Sequence, residues 1–328
     1  MVRVAINGFG RIGRAVFRVC LERGVNVVAI NDLTEPKNLA YLLKYDTVYG
    51  RLNKEVSYGK DFLKVGKKKI KLLSIKEPGQ LPWKKLGINA VVESTGLFTE
   101  RKEALRHINA GAKKVLISAP AKDPDITIAP GVNNKMLKNN HRIISIASCT
   151  TNALAPVVKI LNDKFGVEKG FMNTVHAYTS SQNIVDGPHK KMRRGRAGAA
   201  NIVPTTSGAT KAVIEIIPEV KGKLEGLALR VPVACGSIVD FTAVLKKNTD
   251  AKNVNKAFKE AAKKELKGVL DYTEDEIVSS DVIGTKFSSI VDGLSTQMLG
   301  NNFVKVLAWY DNEYGYSNRM VDVIKMLR

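Results

Sequence analysis

The sequence predicts an α/β protein in two domains, and three observations carry that expectation. Strand-like runs of β-branched residues alternate with amphipathic helical runs through the first half, the pattern of a doubly wound sheet. A glycine turn, Gly8-Phe9-Gly10-Arg11-Ile12-Gly13, joins the first such strand to the first helix. The chain of 328 residues is long enough for a full hydrophobic core and for two domains.

Composition narrows the class. A hydrophobic share of 44% and a charged share of 25% are those of a soluble globular protein. No apolar stretch exceeds strand length, so no membrane span is expected. The run Val2 to Ile6 already reads as a strand, which leaves no room for a signal peptide. Three cysteines are too few and too odd a number for a disulfide framework, which favours a reducing cytoplasm. No Cys/His cluster has metal-binding spacing, so no metal is expected. The net charge of +21 is lopsided: 27 basic against 12 acidic residues through Ser148, and 25 against 19 after it. Such a surface attracts anions, nucleotides and sugar phosphates among them. Basic residues interleaved with exposed aromatics, the mark of a dedicated nucleic-acid reader, are missing, so only nonspecific nucleic-acid binding is expected.

In the first half, Val2 to Asn7 is a strand, Ala15 to Arg23 a helix closed by Gly24, and Val25 to Asn31 a second strand. This context turns a weak glycine pattern into a dinucleotide-binding one. Gly8 permits the tight turn, Gly10 lets backbone approach a pyrophosphate, Gly13 lets helix and sheet pack closely, and the helix start faces the anion. Asp32 ends the second strand, where a carboxylate hydrogen-bonds adenosine ribose hydroxyls and repels a 2′-phosphate, favouring NAD over NADP. Further strands are expected at Lys69 to Ile75, Ala90 to Glu93 and Lys114 to Ser118, with a helix from Glu100 to Ala110. Thr95, in Ser94-Thr95-Gly96, and Ser118 follow strands on the side where such a sheet binds its ligand; Ser118 reads equally as a turn serine. Cys20 reads as core, and His107 and His141 read as surface residues beside arginines.

The second half opens on Ala147-Ser148-Cys149-Thr150-Thr151-Asn152, between a strand-like segment (Arg142 to Ala147) and a helical run (Val157 to Phe165). A thiol at a helix N-terminus sits at the positive end of the dipole, which favours thiolate. A helix cap that happens to contain a cysteine has the same pattern. His176, in the strand Gly170 to Tyr178, is a candidate base for that thiol, though a histidine so placed is, taken alone, more often an ordinary sheet residue. The long segment Thr179 to Ala200 carries Lys190-Lys191-Met192-Arg193-Arg194-Gly195-Arg196, a composition suited to phosphate capture. Thr205-Thr206-Ser207-Gly208 places hydroxyls before a helix from Ala209 to Ile217. Arg230, inside the apolar run Leu227 to Val233, needs an acidic side chain or an anionic ligand. Cys235 sits in an apolar setting and reads as inert. A strand at Ile238 to Leu245, a helix at Val254 to Leu266, a strand at Phe303 to Trp309 and a helix at Ser317 to Leu327 complete the pattern.

Together these stretches resemble the phosphorylating glyceraldehyde-3-phosphate dehydrogenase family. The resemblance is carried by Ile6-Asn7-Gly8-Phe9-Gly10-Arg11-Ile12-Gly13-Arg14, Ser148-Cys149-Thr150-Thr151-Asn152, Thr174-Val175-His176-Ala177-Tyr178-Thr179, Arg230-Val231-Pro232 and Trp309-Tyr310-Asp311-Asn312-Glu313-Tyr314-Gly315. It implies a Rossmann-type doubly wound NAD-binding domain over 1–148, with a C-terminal helix at about 315–328 packing back on it. It also implies an α+β catalytic domain over 149–314 with a mostly antiparallel sheet. The implied roles are Cys149 as nucleophile, His176 as base, and Gly8, Gly10, Arg11, Ile12, Gly13, Asp32, Thr95, Ser118 and Asn312 around NAD. Thr179 and Arg230 are implied to hold the substrate phosphate. Ser148, Thr150, Arg194, Ser207 and Gly208 are implied to lie where inorganic phosphate attacks. The family also implies a cytoplasmic homotetramer acting on glyceraldehyde 3-phosphate.

The chain departs from the family pattern at Ala153, where a second cysteine is frequent, at Ser207, where threonine is common, and at Val233-Ala234-Cys235-Gly236. The nearest alternative is erythrose-4-phosphate dehydrogenase, which shares the fold and the Cys/His pair; the intact Thr179, Arg194 and Arg230 favour the triose enzyme. A nucleic-acid-binding protein on a vestigial dehydrogenase fold is the alternative from another class, and the complete set of catalytic positions argues against it.

Overall fold

The structure is a computed structural model that describes residues 2–327. The chain forms two compact units. One comprises the residues up to Ile128, Lys135–Ala147 and the chain from Ser317 on; the other comprises Ala129–Asn134 and Ser148–Tyr316.

The first unit contains β1 (Arg3–Asn7), α1 (Arg11–Glu22), β2 (Asn26–Asn31), α2 (Pro36–Lys44), β3 (Val56–Gly59), β4 (Phe62–Val65), β5 (Lys68–Leu73), α3 (Trp83–Leu86), β6 (Ala90–Glu93), α4 (Arg101–Asn109), β7 (Lys114–Ile117), β8 (Ile126–Thr127) and β9 (Ile143–Ser145). Its nine strands are ordered β3-β4-β5-β2-β1-β6-β7-β9-β8. All pairs from β5 to β8 are parallel, and β3–β4 and β4–β5 are antiparallel. The central strands are buried on both faces, as β1 shows with Val4, Ala5 and Ile6 wholly inaccessible. Chain order reverses at β1, so the ends of β1 and β6 open the crevice where such sheets take their ligands. Helix α1 starts at Arg11, four residues earlier than its apolar period suggests, because Gly10 is extended and serves as the N-cap.

The second unit contains α5 (Cys149–Phe165), β10 (Val167–Ala177), β11 (Val203–Thr206), α6 (Ala209–Ile216), β12 (Leu224–Val231), β13 (Ser237–Leu245), α7 (Ala251–Lys263), β14 (Leu270–Thr273), β15 (Ser289–Leu299) and β16 (Phe303–Tyr310). Its seven strands run in the order β11-β12-β10-β13-β16-β15-β14, antiparallel except at β10–β12 and β14–β15. Alternation along β13, with Ser237, Val239, Phe241, Ala243 and Leu245 buried, packs one face of this sheet inward. Helix α5 begins at Cys149 and runs through Pro156. The proline hid this start from a reading of periodicity, since it removes one backbone hydrogen bond but does not end the helix.

The last helix, α8, spans Tyr314–Met326. Within the first unit Arg23 binds Asp322 at 2.7 Å and the Asn318 carbonyl at 3.3 Å, tying the chain's end to the end of α1. The final residue of the helix expected at about 315–328 lies outside the described residues. Among the described residues no helix is long and apolar enough to cross a membrane, and no three His, Cys, Asp or Glu side chains are grouped to hold a metal.

Candidate active site

In the first unit the ends of β1, β2 and β6 border a cleft of about 480 Å³ lined by Asn7, Gly8, Gly10, Asp32, Thr95 and Leu97 among others. Gly8 has φ +90°, and a side chain there would strike the backbone of Ser94 and Thr95. Gly13 meets the Gly8 carbonyl oxygen, which would lie 2.1 Å from an added Cβ. Gly10 faces open space in the cleft. The three glycines thus do different jobs: Gly8 and Gly13 let backbone lie against backbone, and Gly10 keeps the cleft open. No side chain caps α1, and its first turn holds no acidic residue. The backbone start of α1, which includes Arg11 and Ile12, therefore suits an anion.

Asp32 stands at the lip of this cleft. Its carboxylate accepts hydrogen bonds from Phe9 N (2.7 Å) and Thr34 N (2.9 Å), which fix its orientation and bind it to the glycine turn. A 2′-phosphate there would face a carboxylate, so the residues fit NAD. Arg11 pairs with Asp46 at 2.7 Å and lies 5.6 Å from the Tyr49 ring. Ser118 follows β7, with its N–H on the Glu93 carbonyl at 2.9 Å.

In the second unit, Ser148 caps α5 by accepting from Thr151 N at 3.0 Å, which makes Cys149 the first helical residue. Just before it Ala147 has φ +54°, a left-handed conformation that costs a non-glycine residue about 1–3 kcal/mol. Cys149 Sγ lies 3.4 Å from His176 Nε2. The structure brings together the two residues that sequence alone left as separate candidates. His176 Nδ1 lies 2.6 Å from the Ala177 carbonyl oxygen. A carbonyl only accepts, so Nδ1 carries the proton and Nε2 faces the sulfur as an acceptor.

Burial raises the Cys149 thiol above its ordinary range, opposed by the Arg230 guanidinium and by Thr150. Burial, helped by Arg230, lowers His176 from 6.5 to about 3. Both directions favour the neutral pair, thiol beside imidazole. The dipole of α5 acts on Cys149 as its place at a helix start implies, but desolvation outweighs it.

Arg230 Nη1 donates to the Ala177 carbonyl and to Thr179 Oγ1, both at 3.2 Å. Its Nε is buried without a partner, and among the described residues no carboxylate pairs with it. Thr179 Oγ1 lies 3.0 Å from Ser181 Oγ, which lies 3.4 Å from Arg194 Nη1; Arg194 Nε donates to Thr205 Oγ1 at 2.9 Å. Two guanidinium groups therefore stand at the ends of one hydroxyl chain, and Arg230 helps burial pull Arg194 below its ordinary value. Two guanidinium groups gathered with no carboxylate paired to them among the described residues suit an anion. Ser207 and Gly208 precede α6, with Ser207 Oγ accepting from Ala209 N at 3.2 Å and open space around Gly208. Asn312 Oδ1 accepts from Gly236 N (3.2 Å) and Ser237 Oγ (2.9 Å), which fixes its amide.

Two residues here were given no role from the sequence. Ser181 links the two arginines. Tyr310, buried, puts its hydroxyl 2.9 Å from both Thr150 Oγ1 and Thr174 Oγ1 and its ring edge-on to His176 at 5.9 Å. Thr150 is thereby nearly buried, its hydroxyl engaged with Tyr310. Cys20, held up at about 12 by burial, is core, and buried Cys235 donates to Asp311 at 3.3 Å.

Residues 2–101 match the family described as "Glyceraldehyde 3-phosphate dehydrogenase, NAD binding domain", and residues 148–312 match its "C-terminal domain". The chain is 54% identical to glyceraldehyde-3-phosphate dehydrogenase 1 of Bacillus cereus, over 98% of this chain and 97% of that one. It is 55% identical to the glyceraldehyde-3-phosphate dehydrogenase of Priestia megaterium, over 99% and 98%. With that of Borreliella burgdorferi it shares 52%, over 99% of each. With both halves matched in order and half of all residues identical, the chain belongs to the glyceraldehyde-3-phosphate dehydrogenase family.

Proposed function

We propose that this protein oxidises D-glyceraldehyde 3-phosphate to 1,3-bisphosphoglycerate, using NAD and inorganic phosphate, in the cytoplasm and as a homotetramer. The first unit serves as the NAD-binding domain and the second as the catalytic domain. The observation that carries the reading is the 3.4 Å approach of Cys149 to His176 beside two arginines that share no carboxylate. Gly8, Gly10, Gly13, Arg11, Ile12, Asp32, Thr95, Ser118 and Asn312 hold NAD, which supplies the hydride acceptor.

Cys149 Sγ adds to the aldehyde carbon as its proton passes to His176 Nε2 and on to the former carbonyl oxygen, forming a carbon–sulfur bond and a hydroxyl and leaving His176 neutral. His176, neutral again, takes the hydroxyl proton as the carbon loses hydride, which leaves a thioester on Cys149. Thr179 and Arg230 hold the substrate phosphate through charge-assisted hydrogen bonds. Ser148, Thr150, Arg194, Ser207 and Gly208 surround the incoming inorganic phosphate. Its oxygen attacks the thioester carbonyl, the carbon–sulfur bond breaks, and Cys149 is returned.

A steady-state assay tests this directly, with NAD and NADP, with phosphate present and absent, and with the triose and erythrose 4-phosphates as aldehydes. The expected result is NAD- and phosphate-dependent oxidation of the triose phosphate. Phosphate-independent oxidation of erythrose 4-phosphate, or a preference for NADP, overturns it. Sedimentation velocity checks the tetramer.

A further inference from the structure

His107, read from the sequence as a surface residue, is wholly buried, and with it Trp83 and Glu93. Trp83 Nε1–H, which can only donate, points at His107 Nδ1 at 2.9 Å. Nδ1 is therefore bare, the imidazole is neutral, and its proton on Nε2 is directed at Glu93 Oε2, 3.0 Å away. Glu93 Oε2 also accepts from Asn7 Nδ2 at 2.6 Å, and Oε1 accepts from Thr95 N at 2.9 Å and from the Thr95 hydroxyl. Thr95 Oγ1 in turn accepts from Leu97 N, which commits its own proton to Glu93. All four bonds thus run towards the carboxylate, and among the described residues no lysine or arginine pairs with it.

The chain of bonds continues sideways. Asn31 Nδ2 donates to Asn7 Oδ1 at 2.7 Å and to the Ile75 carbonyl at 2.9 Å, while Asn31 Oδ1 accepts from Ile75 N. Asn31, Asn7 and Glu93 are the last residues of β2, β1 and β6 and stand in one register row. A single directed network therefore crosses the sheet end from the segment after β5 to α4 and α3. Asn7, Asn31, Ile75 and Thr95 are at once its members and the lining of the cleft.

We infer that Glu93 is the positioning residue of the NAD cleft, and that neutral His107, oriented by Trp83, holds it there. An acceptor with four inward donors fixes the strand ends and the Thr95 loop against which NAD must fit, so its loss weakens cofactor binding without touching Cys149 chemistry. The inference rests on the reading of the cleft as an NAD site.

The test compares His107→Leu with His107→Gln, since a glutamine can donate to Glu93 and accept from Trp83 together. NAD affinity is measured by calorimetry and the NAD KM and kcat by steady-state assay. The Leu variant is expected to bind NAD about tenfold more weakly with kcat within about twofold, and the Gln variant to recover to within about threefold. Wild-type affinity in a folded Leu variant, or Gln no better than Leu, overturns the inference. Should the Leu variant not fold, Trp83→Phe removes only the outer donor and must weaken NAD by about threefold; unchanged affinity there also overturns it. A wild-type protein that binds no NAD refutes the function, not the network alone.

Discussion

At Cys149 a helix start and a guanidinium favour negative sulfur while burial opposes it, and His176 is held neutral by the same burial. A reactive thiolate then forms by handing its proton to Nε2 at 3.4 Å, not to bulk water. His176→Asn removes that acceptor and keeps a polar side chain. Alkylation of Cys149 by iodoacetamide at neutral pH is expected to slow by roughly tenfold or more, with the rate recovering only as pH rises towards the thiol's own range. Cys20 and Cys235 are buried, so the reagent reports on Cys149. Matching pH–rate profiles in variant and wild type refute the proton transfer. A stability effect follows from the same group. Unfolded His176 takes a proton near 6.5 and the folded one resists until about 3. Between those values the unfolded chain binds more protons, so this contribution to stability is lost as pH falls through that window. Urea midpoints from pH 7 to pH 4 should therefore fall further in wild type than in His176→Asn, and equal falls sink the claim.

At the scale of elements, the glycine turn separates packing from binding. An added methyl at Gly13 meets the Gly8 carbonyl at 2.1 Å, whereas one at Gly10 meets nothing. Gly13→Ala should lower the melting temperature and, by about tenfold or more, NAD affinity; Gly10→Ala should lower NAD affinity alone. Calorimetry and thermal melts check both, and a Gly10 variant that binds NAD normally removes the backbone approach assigned to it. This turn was legible because glycine has no substitute where φ is +90° or where backbones nearly touch. The strand ends were legible by period, and so was the place of Asp32 at the end of its strand. Other features were not. His107 sits beside Arg106 in sequence, yet its side chain turns inward to Trp83, a contact 24 residues away that no local pattern encodes. Tyr310 is one alternating residue of β16 until the fold sets it beside Thr150, 160 positions earlier. β14 and β15 carried too weak an alternation to be named, and Pro156 concealed the first half of α5.

For the molecule as a whole the governing quantity is the net charge of +21, most of it before Ser148. Every molecule the reaction takes up is an anion: a dinucleotide, a sugar phosphate and inorganic phosphate. A positive field raises their encounter rates without any contact, and salt screens it, with a Debye length of about 8 Å at 0.15 M. The bonds proposed to hold the substrate phosphate, from Thr179 and Arg230, are short-range and are screened far less. The two contributions therefore separate on a salt series. As ionic strength rises from about 20 mM to about 300 mM, kcat/KM for the aldehyde should fall severalfold while kcat stays nearly constant. The same field gives a long polyanion such as heparin or duplex DNA a nonspecific hold on the basic face. Such a polyanion should inhibit at the low end of the series and lose its effect at the high end, as counterion release requires. Inhibition that survives at high salt would mean a site built for nucleic acid, with contacts beyond charge, and the excess of lysine and arginine would then need a second explanation besides the steering of small anions.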